Sequence, residues 1–163
     1  LMIPSMMLII PQFVLTKQLH LIDNLWALVL FYVSGNLALN TFLLRSFFEG
    51  IPRELDEAME VDGANVWTRY WRLAMPLARP ALATTVIFTF LATWDEFAWA
   101  LTVISTETKR TLPIAIQLFH GQNSTQWGLV FAASLIAILP VIVVYLIFQR
   151  HFVAGLTAGA VKG

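Results

Sequence analysis

The chain of 163 residues contains no cysteine, which excludes disulfides, thiolate metal sites and cysteine nucleophiles. Charge is also scarce. Asp, Glu, Lys and Arg make up 12% of the residues, about half of the roughly 25% carried by an ordinary soluble domain. The formal net charge is zero, so no global field recruits nucleic acid. The three histidines, His20, His120 and His151, lie far apart with no paired spacing, which argues against a metal site or a proton relay. No serine or threonine sits in a nucleophile setting with histidine and aspartate, so no catalytic constellation is visible. Nor does any Gly-x-x-x-x-Gly-Lys-Ser/Thr sequence occur, and the phosphate cradle needed for ATP hydrolysis is therefore missing. The start has no basic n-region and no small-residue cleavage pattern, so a signal peptide is not expected. The expectation is an N-terminally truncated fragment with a natural C-terminus.

What the chain does have is apolar length. Apolar residues make up 58%, a composition that points to lipid as the solvent. A bilayer core about 30 Å thick needs roughly 20 such residues as a helix. Residues 25–44 and 127–148 hold no charge at all, and residues 80–104 hold only Asp95 and Glu96. Spans are expected at about 25–46, 80–104 and 127–149, with part of another at 1–16. Pro11 and Pro140 fall inside the first and last, where neighbouring helices can satisfy freed carbonyls. Ala132, Ala133, Ser134 and Ala137 offer a small-residue face for close packing. The fold class predicted is all-α, a polytopic membrane helical bundle.

Charge placement sets the expected orientation. Arg45 stands at the end of the second span, Arg53, Arg69, Arg72 and Arg79 lie between it and the third, and Arg150 and Lys162 lie in the tail; Lys17, Lys109 and Arg110 occupy the other two loops. The excess of Lys and Arg marks the middle loop and tail as cytoplasmic. Trp26, Trp99 and Trp127 fall near the opposite ends, where indole rings favour the headgroup region.

The middle loop, residues 50–79, is the polar island. Pro52 suits a first helical turn, Glu54, Asp56 and Glu57 follow where carboxylates oppose the helix dipole favourably, and Gly63 can take the positive φ that ends a helix. Leu55, Ala58, Met59 and Asp62 share one face of this short helix. A second helix is expected over residues 65–75, capped by Asn65, with Trp67, Tyr70, Trp71, Ala74 and Met75 as its apolar stripe and Pro76 near its end. Physical chemistry alone leaves open whether this hairpin docks a partner or merely lies at the membrane surface.

Carboxylates at membrane depth are functional candidates by default. Asp95 and Glu96, flanked by Trp94, form a candidate wall of a substrate pathway. Asn36 and Asn40, four residues apart on one helical face, either line that pathway or bond between helices. Residues 111–120 are apolar enough to pack against the bundle.

The run Glu57-Ala58-Met59, three residues, Gly63, nine residues, then Leu73-Ala74-Met75-Pro76 resembles the EAA motif of binding-protein-dependent ABC importer permeases. That motif reads Glu-Ala-Ala, three residues, Gly, nine residues, Ile, one residue, Leu-Pro. Met59, Leu73 and Met75 depart from it and keep apolar character. Asp62-Gly63-Ala64, the stretch Pro80-Ala-Leu-Ala-Thr, the run Thr93-Trp-Asp-Glu-Phe97 and the ending from Phe152 to Gly163 are similar to the MalG-like, carbohydrate-importing group.

The resemblance implies one permease transmembrane domain over residues 1–163, holding about four of six transmembrane helices. It implies that Leu55, Glu57, Ala58, Met59, Asp62, Gly63 and Pro76 couple the chain to a cytoplasmic ABC ATPase dimer. ATP and Mg would be bound by that ATPase, with no cofactor or metal in this chain. It further implies a second permease subunit, an extracytoplasmic solute-binding protein and a multi-pass place in a bacterial or archaeal cell membrane; residues 111–120 either form part of the surface that receives that protein or simply cover the bundle. Two other readings compete: an ion-coupled secondary transporter, which Asp95 and Glu96 would serve, and a membrane scaffold that recruits a cytoplasmic partner without transporting anything.

Overall fold

In the computed structural model, residues 3–121 and 124–160 are described, with side chains as far as Gln149. Of the features read above, Arg150, His151 and the ending from Phe152 have no described side chains, and Lys162 lies outside the described residues. Among the described residues no strand forms, and the one bridge, between His120 and Thr125, is isolated. The helices are α1 (Ile9–Gln18), α2 (Leu25–Glu49), α3 (Arg53–Val61), α4 (Val66–Arg69), α5 (Met75–Leu77), α6 (Arg79–Trp94), α7 (Ala98–Val103), α8 (Leu112–Gln117) and α9 (Trp127–Ala160). The fold is all-α.

α2 and the Trp127–Gln149 part of α9 are each long and apolar enough to cross a membrane. The segments Val66–Leu77 and Arg79–Trp94 together make a third candidate, bent by 65°. The stretch 80–104, expected as one span, is instead two helices: α6 stops at Trp94 and α7 starts at Ala98. Pro140 lies inside α9 without ending it. Pro11 is no interior break either, because α1 begins at Ile9 and places the proline in the first turn, where its missing N–H has no intrahelical partner to lose.

The chain divides into two compact units, Leu1–Ala38 with Phe90–Val144, and Leu39–Thr89 with Tyr145–Gly163. In the first, Ala27 and Leu28 of α2 bury against Trp99, Ala100 and Val103 of α7, with Ile104 and Ile114 completing the core. Phe13, Leu21, Phe31, Tyr32 and Phe97 pack around it. Trp99 is only 5% exposed and meets Phe31 edge-on at 4.5 Å between ring centroids. Its expected place at the headgroups is therefore corrected: the alternation of apolar residues cannot distinguish a ring facing lipid from one facing α2. Trp26 and Trp127 are exposed. Residues 111–120 pack as expected, with α8 burying Ile114.

A clasp closes this unit at the α1–α2 loop. Asp23, at φ 57°, accepts hydrogen bonds from the amides of Ser105 and Thr106 at 2.9 and 2.8 Å, from the Thr106 hydroxyl, and from Lys109 Nζ at 3.0 Å. The Thr106 hydroxyl first, then its amide, Lys109 and the Ser105 amide, hold the Asp23 carboxyl well below the usual carboxylate range. Asn24 then caps α2 by accepting from the Trp26 amide at 3.0 Å. Hydroxyls within the apolar helices bond back to their own carbonyls, as Thr16 does to Gln12 at 2.8 Å and Thr84 to Pro80 at 2.9 Å, so each is satisfied without water.

Candidate functional site

The polar island folds as a helical hairpin, α3 and α4, leading through residues 70–77 to α6. Pro52 stands at the N-cap of α3 with Glu54 and Asp56 in the first turn. The C-terminus closes by a Schellman motif. Gly63 adopts φ +78°, its amide donates to Glu60 O, and the Ala64 amide donates to Met59 O, both at 2.9 Å. Asn65 caps α4, accepting from the Thr68 amide at 2.8 Å. The glycine turn and the asparagine cap expected from the residues are both present.

One contact joins the two helices of the hairpin across the turn, and no periodicity announces it. Arg69 Nη1 of α4 lies 2.6 Å from Glu60 Oε2 and 3.2 Å from Asp56 Oδ2 of α3. These two acids, four apart, face the hairpin interior; Glu54 and Glu57 lie on other faces, exposed and without an ion pair among the described residues. Around them, Leu55 is 43% and Val61 88% exposed, Ala58 and Asp62 are exposed, and Met59 is half-buried. The outer face of α3 thus offers apolar side chains between free carboxylates. Val61, at the C-terminal end of that face, was not among the residues expected there.

Past Arg69 the helix widens into a π-helical turn, Tyr70–Ala74, before α5 and the exposed Pro76. Pro76 has no N–H and its ring crowds the carbonyl four residues earlier, and the wider turn precedes it directly. Trp67, Tyr70 and Trp71 form an edge-to-face series with centroids 6.3 and 4.9 Å apart.

The intramembrane candidates have separate settings. Trp94 donates its indole N–H to Ala137 O at 3.1 Å and stacks on Phe90. Asp95 is exposed, with no side-chain partner among the described residues. Glu96 is half-buried and bonded on both oxygens: Oε1 accepts from the Trp99 amide at 2.7 Å, and Oε2 from the Ala100 amide at 3.0 Å and the Tyr32 hydroxyl at 2.9 Å. Asn36 bonds back to Tyr32 O at 2.8 Å, so Asn36, Tyr32 and Glu96 form one connected set. Asn40, in the other unit, donates to Thr89 Oγ1 of α6 at 2.8 Å, an interhelical bond, while its own oxygen is buried without a partner among the described residues. No cluster of metal-ligating side chains occurs among the described residues.

Residues 1–158 match the family described as the inner membrane component of binding-protein-dependent transport systems. The chain belongs to this family.

Similar proteins carry related descriptions. The chain is 39% identical, over 98% of its length, to the sulfoquinovosyl glycerol transport system permease protein SmoH of Agrobacterium fabrum, of which it covers 56%. It is 37% identical over 99% of its length to the trehalose/maltose transport system permease protein MalG of Thermococcus litoralis, covering 59%. To the trehalose transport system permease protein SugB of Mycobacterium tuberculosis it is likewise 37% identical, covering 60%. The chain thus spans a little over half the length of these permeases. As an inner membrane component of this family, it is a membrane protein.

Proposed function

We propose that the chain is the transmembrane part of an ABC importer permease that moves a sugar or oligosaccharide into the cytoplasm, driven by a separate ATPase. The observation that carries this is α3: a short exposed helix, closed by the left-handed Gly63, that presents Glu57 without an ion pair among the described residues while Arg69 engages Asp56 and Glu60. Such a helix suits a groove on a partner. Glu57 pairs with a basic residue of the ATPase, Ala58 permits close approach, and Leu55 and Met59 fill the groove, with Asp62 and Gly63 shaping the exit and Pro76 the route to α6.

ATP and Mg belong to the ATPase dimer, and the chain itself catalyses no reaction. ATP biases the transport switch by favouring one state of the docked assembly over the other. The hairpin and C-terminus face the cytoplasm of a bacterial or archaeal cell, in keeping with the arginines of the middle loop. A second permease subunit completes the pathway, and a solute-binding protein docks on the extracytoplasmic side, with residues 111–120 as part of the surface that receives it.

The sugar assignment is supported by the substrates for which the similar permeases are named. Asp95, exposed at the break between α6 and α7, is the first candidate for a sugar hydroxyl, with Trp94 and Asn36 in supporting places and Glu96 held by the start of α7. An ion-coupled transporter would use the same carboxylates without any ATPase. Reconstitution decides between them: uptake of trehalose or maltose should require the ATPase subunit and ATP. Uptake driven by an ion gradient with the ATPase left out would overturn the proposal, and ATPase recruitment without any solute movement would favour the scaffold reading.

A further inference from the structure

The three residues between α6 and α7 interrupt a helix in apolar surroundings, where unpaired backbone groups are costly. α7 begins with amides that have no intrahelical partner. Glu96 supplies the missing acceptor. Its side chain folds over the start of α7, taking the amides of Trp99 and Ala100, while the Tyr32 hydroxyl reaches the same carboxylate from α2. Three donors converge on this one carboxyl group, and no cation pairs with it among the described residues.

Further contacts tie α7 to α2 and to the loop before it. The Trp99 indole N–H points at Ala27 O at 3.5 Å, its ring meets Phe31 at 4.5 Å, and Val103 O accepts from the Asp23 amide at 2.8 Å. Only the Glu96 contact combines a cap with a cross-link: it defines where α7 starts and joins that start to α2. Asp95, one residue earlier, has no such ties and is exposed.

We propose that Glu96 is the positioning residue of the broken helix, holding the start of α7 to α2 through Tyr32 so that the two move together when the transporter switches. Glu96 therefore sets how fast the assembly turns over, without touching the solute. The inference rests on reading the chain as an importer permease.

The test uses the full complex of permeases, ATPase and binding protein in nanodiscs, with Glu96→Ala, Glu96→Gln, Tyr32→Phe and Tyr32→Phe combined with Glu96→Ala. Amide exchange at Trp99 and Ala100 should rise about tenfold in Glu96→Ala, as expected for loss of a cap. Binding-protein-stimulated ATP hydrolysis, counted per assembled complex, should fall several-fold in Glu96→Ala and in Tyr32→Phe. In the double variant it should fall no further than in Glu96→Ala, because the shared bond is already gone. Glu96→Gln keeps the length and one acceptor, and should recover part of the loss.

Additive effects of the two substitutions would overturn the proposal. So would unchanged hydrolysis per complex with only the yield reduced, the signature of a merely structural role. A raised half-saturating concentration of binding protein at unchanged maximal hydrolysis would place Glu96 on the solute path instead, and equally overturn it. If Glu96→Ala does not assemble, Glu96→Gln and Tyr32→Phe carry the same comparison. A parent complex that neither binds nor stimulates the ATPase would sink the importer reading, whereas normal amide exchange in the Glu96 variants would sink only the cap.

Discussion

Arg69 of α4 and Glu60 of α3 approach to 2.6 Å, and the same guanidinium reaches Asp56 at 3.2 Å. One cation therefore engages the inward acids of the hairpin, and the outward ones remain for a partner. The Arg69 side chain is 18% exposed, but its partners are 56% and 68% exposed. Ion pairs open to water contribute only about 0–1 kcal/mol. Arg69→Met should thus barely change the melting of the purified chain, yet it should free Asp56 and Glu60 and disturb the hairpin angle. The expected result is weaker capture of the ATPase in a pull-down; capture at the level of the parent protein would argue against this role for Arg69.

Glu57 tests the outward face directly. Glu57→Lys reverses a charge that no side chain of the chain opposes among the described residues, so insertion and folding should be unaffected. ATPase binding should drop by about tenfold or more, as is common when a charge pair at an interface is turned into a like-charge contact. Titration of the detergent-solubilised permease with the ATPase measures it, and a charge-reversed basic residue on the ATPase should restore binding.

Gly63 separates backbone demand from side-chain space. A Cβ built there meets nothing within 4 Å, so the constraint is its φ of +78° alone. Gly63→Val should cost about 1–2 kcal/mol through the left-handed backbone. Gly63→Asn should cost less, because Asn visits that region readily. Transport assays on both variants should rank them in that order. Equal loss in the two would point to a requirement for close approach by a partner, and no loss in either would remove Gly63 from the coupling role.

The Asp23 clasp gives a pH dependence of known sign. Its folded carboxyl lies below the ordinary range, so the contribution to stability is complete above the unfolded value of about 3.9 and fades as pH falls below it. Amide exchange at Ser105 and Thr106, taken relative to the intrinsic rate at each pH, should stay slow at pH 5 and quicken toward pH 3. In Asp23→Asn it should be faster at pH 5 and nearly insensitive to acid over this window. A clasp that loosened between pH 7 and pH 5 would contradict the assignment.

Much of the hairpin is legible in the order of residues. Its helices, the Asn65 cap and the Gly63 turn follow from local chemistry, since a cap, a left-handed residue and a proline each act within a few positions. The apolar runs at residues 25–44 and 127–148 need only counting, because a bilayer imposes a length on any helix that crosses it. The family register from Glu57 to Pro76 is likewise a property of spacing.

Other features depend on residues far apart in the chain. Arg69 finds Asp56 thirteen residues away across a turn, and Tyr32 finds Glu96 sixty-four residues away; no helical period relates either pair. Trp99 looks from the sequence like an interfacial ring and is a core residue, because burial depends on which neighbour covers a face. The same limit applies to the two adjacent carboxylates. Composition alone makes Asp95 and Glu96 equivalent, charged and costly in an apolar run. Their difference was decided by tertiary structure, where the amides opened by the helix break and the hydroxyl of Tyr32 converge on Glu96 and leave Asp95 exposed.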